Sequence, residues 1–347
     1  MPALVPLQLP HAPDDEQELV AQVSAWFGLG HPSSVKRIAH GLMSRNWQVI
    51  TPVGPVAVKL ATSADADAVR LQHAAVTLLA QAGLPVPVPV AGPGGLTLME
   101  HRAGLLTVVP WAAGTHRTGL SLSHTECELL GTMLGRLHAG LANALPPPQG
   151  EPTFQVTQEA EARRRIGRYV DLAGSRQPPD AFDRLALRRL NERARLLQDL
   201  EHLRPSDQAP AGPVGWTHGD FHELQVLWHD GQVSAVLDWD RLGVRPLAAE
   251  MVRSATLLFG YGDNRGLDIG RVTAFTYGYR EVMPLADADL SDALHRLWWE
   301  RLCDFWHLEW HYERDDRSCD HLFISASALL AWWCGHRSEV SGAFTSR

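Results

Sequence analysis

Residues 216–228 read Trp-Thr-His-Gly-Asp-Phe-His-Glu-Leu-Gln-Val-Leu-Trp, and this stretch decides the fold of the 347-residue chain. Its last residues predict a β-strand, and a second apolar strand follows an Asp-Gly turn at 230–231. An Asp-Gly turn between two apolar strands is a strong signal for a β-hairpin. A loop that carries Asp220 precedes this hairpin, so the hairpin should bring Gln225 and Asp238 back to the same end.

Three oxygen-bearing side chains at one end of a hairpin suit phosphoryl transfer. That reaction needs a carboxylate to orient and deprotonate an acceptor hydroxyl, and it needs oxygen ligands that hold Mg²⁺ on the phosphates. Asp220 suits the first role. Gln225 and Asp238 suit the second.

The same segment resembles a known family. His218-Gly219-Asp220, a carboxamide five residues later and then Leu237-Asp238-Trp239 are similar to the signature of the aminoglycoside phosphotransferase and choline kinase superfamily. The stretch 245–250 also resembles the family's segment after its metal-binding aspartate. The resemblance implies ATP and Mg²⁺ as cofactors, a structural role for His218 and a bracing role for Glu250. Gln225 stands where the family usually has Asn, and it keeps the amide oxygen while adding one methylene.

The order of elements agrees with the fold that this resemblance implies, which is α+β, bilobal and protein-kinase-like. Hydrophobic patterns predict a five-stranded antiparallel N-terminal lobe with one main helix, and a mostly helical C-terminal lobe that contains the catalytic hairpin. The predicted lobes are residues 1–109 and 120–347, joined by a connector at 110–119. The predicted strands of the first lobe are 35–39, 47–51, 56–60, 96–101 and 105–109, and its main helix is 66–81. The predicted helices of the second lobe include 121–145, 157–175 and 180–203.

Lys59 lies within the apolar strand Val56-Ala57-Val58-Lys59-Leu60. Of 31 basic residues only Lys36 and Lys59 are lysines, so the chain uses arginine almost wherever a general cation would serve. A half-buried lysine needs an anionic partner. The resemblance places Lys59 where the third-strand lysine of kinase-like folds contacts the α- and β-phosphates.

The family resemblance also implies further nucleotide contacts, which are assigned here by their position in the chain. The segment 41–46 is interpreted as a turn over the nucleotide, with Ser44 and Asn46 as phosphate contacts or as plain turn residues. The helix 66–81 should steady Lys59 through Gln72, or through Asp65 or Asp67 instead. Pro110 and Trp111 should form the hinge that binds adenine through backbone groups.

The acceptor site is predicted on a single C-terminal helix over residues 292–314. One face of this helix is apolar and is interpreted as core: Leu294, Leu297, Trp298, Leu302, Phe305, Leu308 and Tyr312. The remainder is rich in acids, tryptophan and histidine, and Glu300, Asp304 and His307 are the candidate substrate residues. Carboxylates suit an ammonium group, and tryptophans suit a sugar ring or a quaternary amine. The acceptor could be an aminoglycoside, an amino sugar or sugar, a choline-like amine or homoserine.

The composition and charge of the chain limit the kinds of partner and the cellular location that we expect. The formal net charge is −8 and the chain has no basic run, so we expect neither nucleic acid nor an acidic membrane surface as a partner. No apolar window is long enough for a membrane span, and the N-terminus lacks the pattern of a signal peptide. The four cysteines form no metal-binding or disulfide pattern, which favours reduced thiols in a cytoplasmic protein.

Two other interpretations of the motif remain. His218, Asp220 and His222 alternate in a way that could chelate Zn²⁺, but such a site needs further ligands at suitable spacing, and none stands out. A pseudokinase that binds nucleotide without transferring phosphate is motivated by Gln72 and Gln225.

Overall fold

The computed structural model describes residues 13–38, 44–62, 64–148 and 154–345, and these divide into two compact units. The first unit comprises the residues up to His116 together with Asn143–Leu145 and Gln225–Leu242. The second comprises Arg117–Ala142, Pro146–Leu224 and the residues from Gly243 onward. The catalytic hairpin therefore groups with the first unit.

The first unit is built on an antiparallel sheet of five strands. The strands are β1 (Ser34–Ile38), β2 (Ser44–Thr51), β3 (Gly54–Ala61), β4 (Leu98–His101) and β5 (Gly104–Pro110), in the order β1-β2-β3-β5-β4. This confirms the predicted five-stranded antiparallel sheet. Lys59 lies on the central strand β3, opposite Asn46 on β2 and Thr107 on β5.

Two helices complete this unit, α1 (Pro13–Trp26) and α2 (Ala66–Gln81). The observed bounds of α2 are those predicted from its apolar pattern. Asp65 is its N-cap, because its side chain accepts a hydrogen bond from the backbone N–H of Asp67. The core is formed where α1 covers one face of the sheet: Val20, Val23, Phe27, Leu29, Trp47, Val49, Val56, Val58, Leu60, Leu106 and Val108.

The catalytic hairpin consists of β7 (Val226–His229) and β8 (Gln232–Val236). Its turn residues Asp230 and Gly231 have φ angles of 48° and 73°. Asp and Gly tolerate this left-handed region, which two-residue hairpin turns of the primed types require. The predicted hairpin is confirmed.

The second unit is mostly helical, with one two-stranded antiparallel pair formed by β6 (Val214–Thr217) and β9 (Gly243–Pro246). Its helices are α3 (His124–Ala144), α4 (Glu159–Ser175), α5 (Ala181–Leu200), α6 (Leu247–Leu258), α7 (Ile269–Val282), α8 (Asp287–Cys303), α9 (Trp306–Glu313), α10 (Asp320–Gly335) and α11 (Arg337–Thr345). Within the described residues, none of the helices has both the length and the apolar character to cross a bilayer.

The single helix predicted over 292–314 was wrong, because α8 and α9 are separate helices. Asp304 adopts an extended conformation after α8, and its carboxylate accepts a hydrogen bond from the backbone N–H of Trp306 at 3.1 Å. An aspartate that bonds to a nearby N–H competes with helix continuation and starts a new helix. The apolar face nevertheless forms core as predicted, since Trp298, Phe305 and Leu308 are buried.

Candidate active site

Lys59 is held by two carboxylates of the first unit. Its Nζ lies 2.8 Å from Oδ1 of Asp238 and 2.6 Å from Oδ2 of Asp240. Burial lowers the pKa of Lys59, but the charges and hydrogen bonds of the two aspartates outweigh it and raise the pKa above its usual value. Lys59 is therefore a fixed cation at neutral pH.

The predicted partners of Lys59 on and before α2 were wrong. The amide of Gln72 donates to the backbone carbonyl of Asp240 at 3.2 Å, and Asp67 pairs with Arg70. Asp65 caps its own helix, as described above. The acids that neutralise Lys59 come from the end of the catalytic hairpin, and the second of them, Asp240, was missed. The sequence signal was available in the Asp-Trp-Asp spacing at 238–240.

Asp238 has a strained backbone. Its φ angle is 57°, in the left-handed region that few residues other than glycine adopt, although aspartate tolerates it better than most. The backbone N–H of Leu237 donates to the carbonyl of Gln225 at 2.8 Å, and Nε2 of Gln225 lies 3.5 Å from Oδ2 of Asp238. The hairpin thus brings Gln225 and Asp238 together and presents Asp238 in an unusual conformation, as is common at functional sites.

The oxygen donors at this place suit a magnesium ion. Asp238 and Asp240 supply carboxylates, and Gln225 can present its amide oxygen by rotating its terminal bond. Mg²⁺ is held by one or two carboxylates, keeps several water ligands and contacts substrate phosphates. The residues present therefore fit the metal that the family resemblance implies.

The proposed nucleotide-covering turn is described only in part. Gly41–Met43 lie outside the described residues. Ser44 and Asn46 were predicted in the turn, but both belong to strand β2, where they pair with Ala61 and Lys59. Strand β2 begins three residues earlier than the apolar pattern indicated, because backbone pairing with β3 does not require apolar side chains.

The predicted hinge begins at the end of β5. Pro110 is the last residue of that strand and has no N–H to donate. The backbone N–H of Trp111 donates to the carbonyl of Pro55 at 3.0 Å. Since both residues lack an available N–H, an adenine ring at this strand end would have to use a carbonyl here or an N–H further along the connector.

In the second unit, Asp220 is flanked by two basic side chains. Nη2 of Arg253 donates to Oδ1 of Asp220 at 2.9 Å, and Nε2 of His222 lies 3.6 Å from Oδ2. Burial raises the pKa of Asp220, but His222 and Arg253 together outweigh it and hold the pKa below its usual range. Asp220 is therefore ionised at neutral pH. Arg253, on α6, was missed because no local pattern connects it with Asp220.

The loop that carries Asp220 is fastened by the buried carboxylate of Glu250. Glu250 accepts hydrogen bonds from the backbone N–H groups of His218, at 3.0 Å, and Gly219. Its Oε2 also lies 2.7 Å from Nε2 of His138, whose Nδ1 lies 2.7 Å from the hydroxyl of Tyr279. His138 thus has a hydrogen-bond partner at each ring nitrogen, and Glu250 and Tyr279 are both paired through it.

His138 and Tyr279 were missed as supports of this loop. The sequence signal was weak: His138 lies among the apolar residues of helix α3. In the structure His138, Glu250 and Tyr279 are all buried. Burial raises the pKa of Glu250, but the hydrogen bond and charge of His138 outweigh it, so the pKa stays below its usual value. Glu250 is therefore ionised, and its carboxylate holds the loop that carries Asp220.

The three candidate substrate residues differ in environment. Glu300 is exposed. Its pKa is nevertheless raised above the usual value, first by partial desolvation of the carboxyl group and then by the negative charge of Asp304. Asp304 is half-buried at the end of α8. His307 is buried and stacks on Trp306 with ring centroids 3.9 Å apart, and burial lowers its pKa to about 3. His307 is thus a neutral, packed side chain, whereas Glu300 is available to a ligand.

Comparison with known proteins places the chain in a family. The model of the family described as "Phosphotransferase enzyme family" matches residues 34–285. A homoserine kinase from Methylobacillus glycogenes is 26% identical, over 82% of this chain and 85% of that protein.

Solved structures show the same fold. The amicoumacin kinase determined with AMP-PNP, Ca²⁺ and its antibiotic matches with a TM-score of 0.61 at 18% identity, covering 90% of this chain and 92% of that one. A microcompartment-associated aminopropanol kinase matches with a TM-score of 0.62 at 13% identity, covering 93% and 98%. Because the family model covers most of the sequence, including the loop of Asp220 and the whole catalytic hairpin, this chain belongs to the phosphotransferase enzyme family and is a small-molecule kinase.

Proposed function

We propose that this chain is an ATP- and Mg²⁺-dependent kinase that moves the γ-phosphoryl group onto a hydroxyl of a small polar acceptor. The observation that carries the proposal is the ion-paired group of Lys59, Asp238 and Asp240. Phosphoryl transfer needs a cation on the nucleotide phosphates and acids that hold a metal beside them. One lysine with two acids at a strained hairpin end supplies both.

The residues of the first unit have distinct tasks in this proposal. Lys59 exchanges its carboxylate partners for the α- and β-phosphates when nucleotide binds. Asp238 and Gln225, with Asp240, would hold a magnesium ion, which would neutralise phosphate charge when bound. The amicoumacin kinase contains a nucleotide analogue and a divalent cation, and this supports a similar use of the fold here.

Asp220 acts on the acceptor. Its ionised carboxylate accepts a hydrogen bond from the acceptor hydroxyl and then takes the hydroxyl proton. The hydroxyl oxygen forms a bond to the γ-phosphorus while the bond from that phosphorus to the bridging oxygen breaks, and ADP leaves. Because its pKa is held low, Asp220 is a weak base that orients the hydroxyl and takes the proton late, as suits a loose transition state.

Homoserine is the first acceptor to test. The relative from Methylobacillus glycogenes is a homoserine kinase, and the match covers most of both chains. Aminoglycosides, amino sugars and choline-like amines are the other acceptors that the acidic surface of α8 suits.

The free thiols fit a cytoplasmic location for this reaction. Cys127, Cys303 and Cys319 are buried and Cys334 is half-buried, and none is in a disulfide. Reducing compartments keep cysteines in this state.

The decisive experiment measures ADP release from ATP with each acceptor, with and without Mg²⁺. We expect acceptor-dependent release that stops when the metal is chelated. Tight nucleotide binding without ADP release for any acceptor would favour the pseudokinase, for which Gln72 and Gln225 are the motivating departures.

A further inference from the structure

We propose that Arg253, Arg301, Glu300 and Asp304 form a binding site for a zwitterion beside Asp220, so that the acceptor is an α-amino acid with a side-chain hydroxyl. The two arginines would bind the carboxylate, and the two acids would bind the ammonium group. This inference rests on the proposed kinase function and names the chemical class of its acceptor.

Helices α6 and α8 place the two arginines side by side. These helices pack against each other in the second unit. Arg253 lies on α6 and contacts Asp220 at 2.9 Å. Nη2 of Arg301, on α8, donates at 2.7 Å to Oγ1 of Thr256, one turn of α6 after Arg253. The hydroxyl of Thr256 in turn donates to the backbone carbonyl of Arg253 at 2.8 Å. Thr256 thus ties Arg301 to the part of α6 that reaches the catalytic aspartate.

Both guanidinium groups have hydrogen-bonding capacity to spare. Nη1 of Arg253 and Nε of Arg301 are buried nitrogens without a hydrogen-bond partner in the part of the chain that the structure describes. An unpaired buried donor destabilises the fold, and more so when it is charged. Burial and then the neighbouring charge of Arg253 lower the pKa of Arg301 to about 10, which leaves it charged at neutral pH. Two adjacent cations with unused donors indicate a site for an anion.

Among the described residues, Glu300 and Asp304 lie near the two arginines but form no ion pair with them. Glu300 makes no hydrogen bond or ion pair with any of the described residues, although the charges of Arg301 and Arg253 act on it. Asp304 follows directly after the end of α8, and its Oδ1 accepts a hydrogen bond from the backbone N–H of Trp306. Its charge acts on both Glu300 and Arg301. Glu300 is exposed to solvent, and partial desolvation by the surrounding protein and then the charge of Asp304 raise its pKa. A bound ammonium group would relieve the repulsion between the two acids.

The arrangement matches the two ends of an amino acid. A carboxylate prefers the planar fork of a guanidinium, and an ammonium group prefers carboxylates. The contact of Arg253 with Asp220 puts the cationic half of the site next to the general base. A short amino-acid side chain that ends in a hydroxyl can then reach Asp220 while its charged groups stay on α6 and α8.

Three acceptors that differ by one charged group test this inference in the full chain with Mg·ATP. L-Homoserine carries both groups, 3-aminopropan-1-ol lacks the carboxylate, and 4-hydroxybutanoate lacks the ammonium group. A site built for both groups should give homoserine a kcat/KM at least about 100-fold above either analogue. Equal use of 3-aminopropan-1-ol, or turnover only with aminoglycosides or choline, would overturn the inference while leaving the proposed function intact.

Variants assign each half of the site. Arg301→Lys should raise KM about tenfold or more for the carboxylate-bearing acceptors and leave KM for 3-aminopropan-1-ol unchanged, because lysine keeps the charge but loses the fork. Glu300→Gln should do the reverse, raising KM only for acceptors with an ammonium group. Arg280→Lys is the matched control, since Arg280 pairs with Asp287 away from this cluster. If Arg301→Lys lowers kcat equally for all three acceptors, the arginine serves the phosphoryl group and the zwitterion site is wrong.

A binding measurement separates the two proposals. If no acceptor gives Mg²⁺-dependent ADP release, the proposed function fails, but homoserine binding can still be tested by its effect on the melting temperature of the wild-type chain. A rise that is lost in Glu300→Gln and kept in Arg280→Lys supports the zwitterion site. No rise at saturating homoserine overturns it.

Discussion

The ammonium of Lys59 lies 2.8 Å from the carboxylate of Asp238, although 179 positions separate the two residues in the sequence. Asp240 completes the group at 2.6 Å. The cation that we assign to the phosphates is thus paired with the acids that we assign to the metal. When Mg·ATP binds, Lys59 can leave the carboxylates and pair with the phosphates, while the carboxylates pair with the metal ion. No charge is then left unpaired.

Replacement of Lys59 by arginine tests whether its compact charge matters. We expect Lys59→Arg to impair ATP turnover almost as severely as Lys59→Ala, because a guanidinium cannot occupy the place of an ammonium between two aspartates and the phosphates. Thermal melts without nucleotide should shift little for either variant, since partly exposed ion pairs contribute about 1 kcal/mol or less. Wild-type rates in Lys59→Arg would show that Lys59 is only a strand cation, and Lys36→Arg on β1 serves as the control.

Removal of the charge of Asp238 should weaken metal-dependent nucleotide binding. Asp238→Asn is the best variant because asparagine tolerates the left-handed backbone, whereas Asp238→Ala adds strain at a φ of 57°. We expect a loss of ATP affinity that appears only when Mg²⁺ is present, measured by calorimetric titration with and without the metal. Unchanged Mg·ATP affinity in both variants would mean that Asp238 is not a ligand.

Asp220→Asn should abolish turnover while ATP binding is largely kept, because the acceptor loses its base but the phosphate contacts remain. A single-turnover assay together with nucleotide titration separates the two effects. Turnover close to that of the wild-type chain would contradict the assignment.

The same variant makes a prediction about stability and pH. The folded-state pKa of Asp220 is held below its unfolded value of about 4, so its ion pairs contribute stability above that pH. The contribution should be lost as the pH falls from about 4 towards the depressed pKa. We expect urea titrations to give wild type a larger free energy of unfolding than Asp220→Asn. This difference should be greatest at neutral pH and should shrink as the pH falls. A difference in free energy of unfolding that grows at low pH would contradict the ion pairing of Asp220 with Arg253 and His222.

The buried chain of Tyr279, His138 and Glu250 should support stability and the Asp220 loop. Tyr279→Phe leaves Nδ1 of His138 without its partner, and we expect the free energy of unfolding to fall by about 1–3 kcal/mol. We also expect kcat to fall with little change in the KM for ATP, because the loop is affected and Lys59 is not. Tyr277→Phe, on the exposed side of the same helix, is the control and should change neither quantity.

Local signals in the sequence determined much of this protein. The Asp-Gly pair at 230–231 predicted the catalytic hairpin, because both residues tolerate the left-handed backbone of the two-residue turns that match the twist of paired strands. The apolar pattern fixed α2 to the residue, and the scarcity of lysine drew attention to Lys59. The first two signals are read from neighbouring residues and the third from the composition, so none of them requires tertiary information.

Polar partners were decided by the tertiary structure alone. Asp240 meets Lys59, Arg253 meets Asp220, and Tyr279 reaches Glu250 through His138, across long stretches of sequence. Periodicity shows which face of an element is buried, but a charged or polar side chain can pair with any suitable group that packing brings near it. The break between α8 and α9 has a different origin. Asp304 can continue a helix or accept a hydrogen bond from the N–H of Trp306, and the apolar pattern is compatible with both.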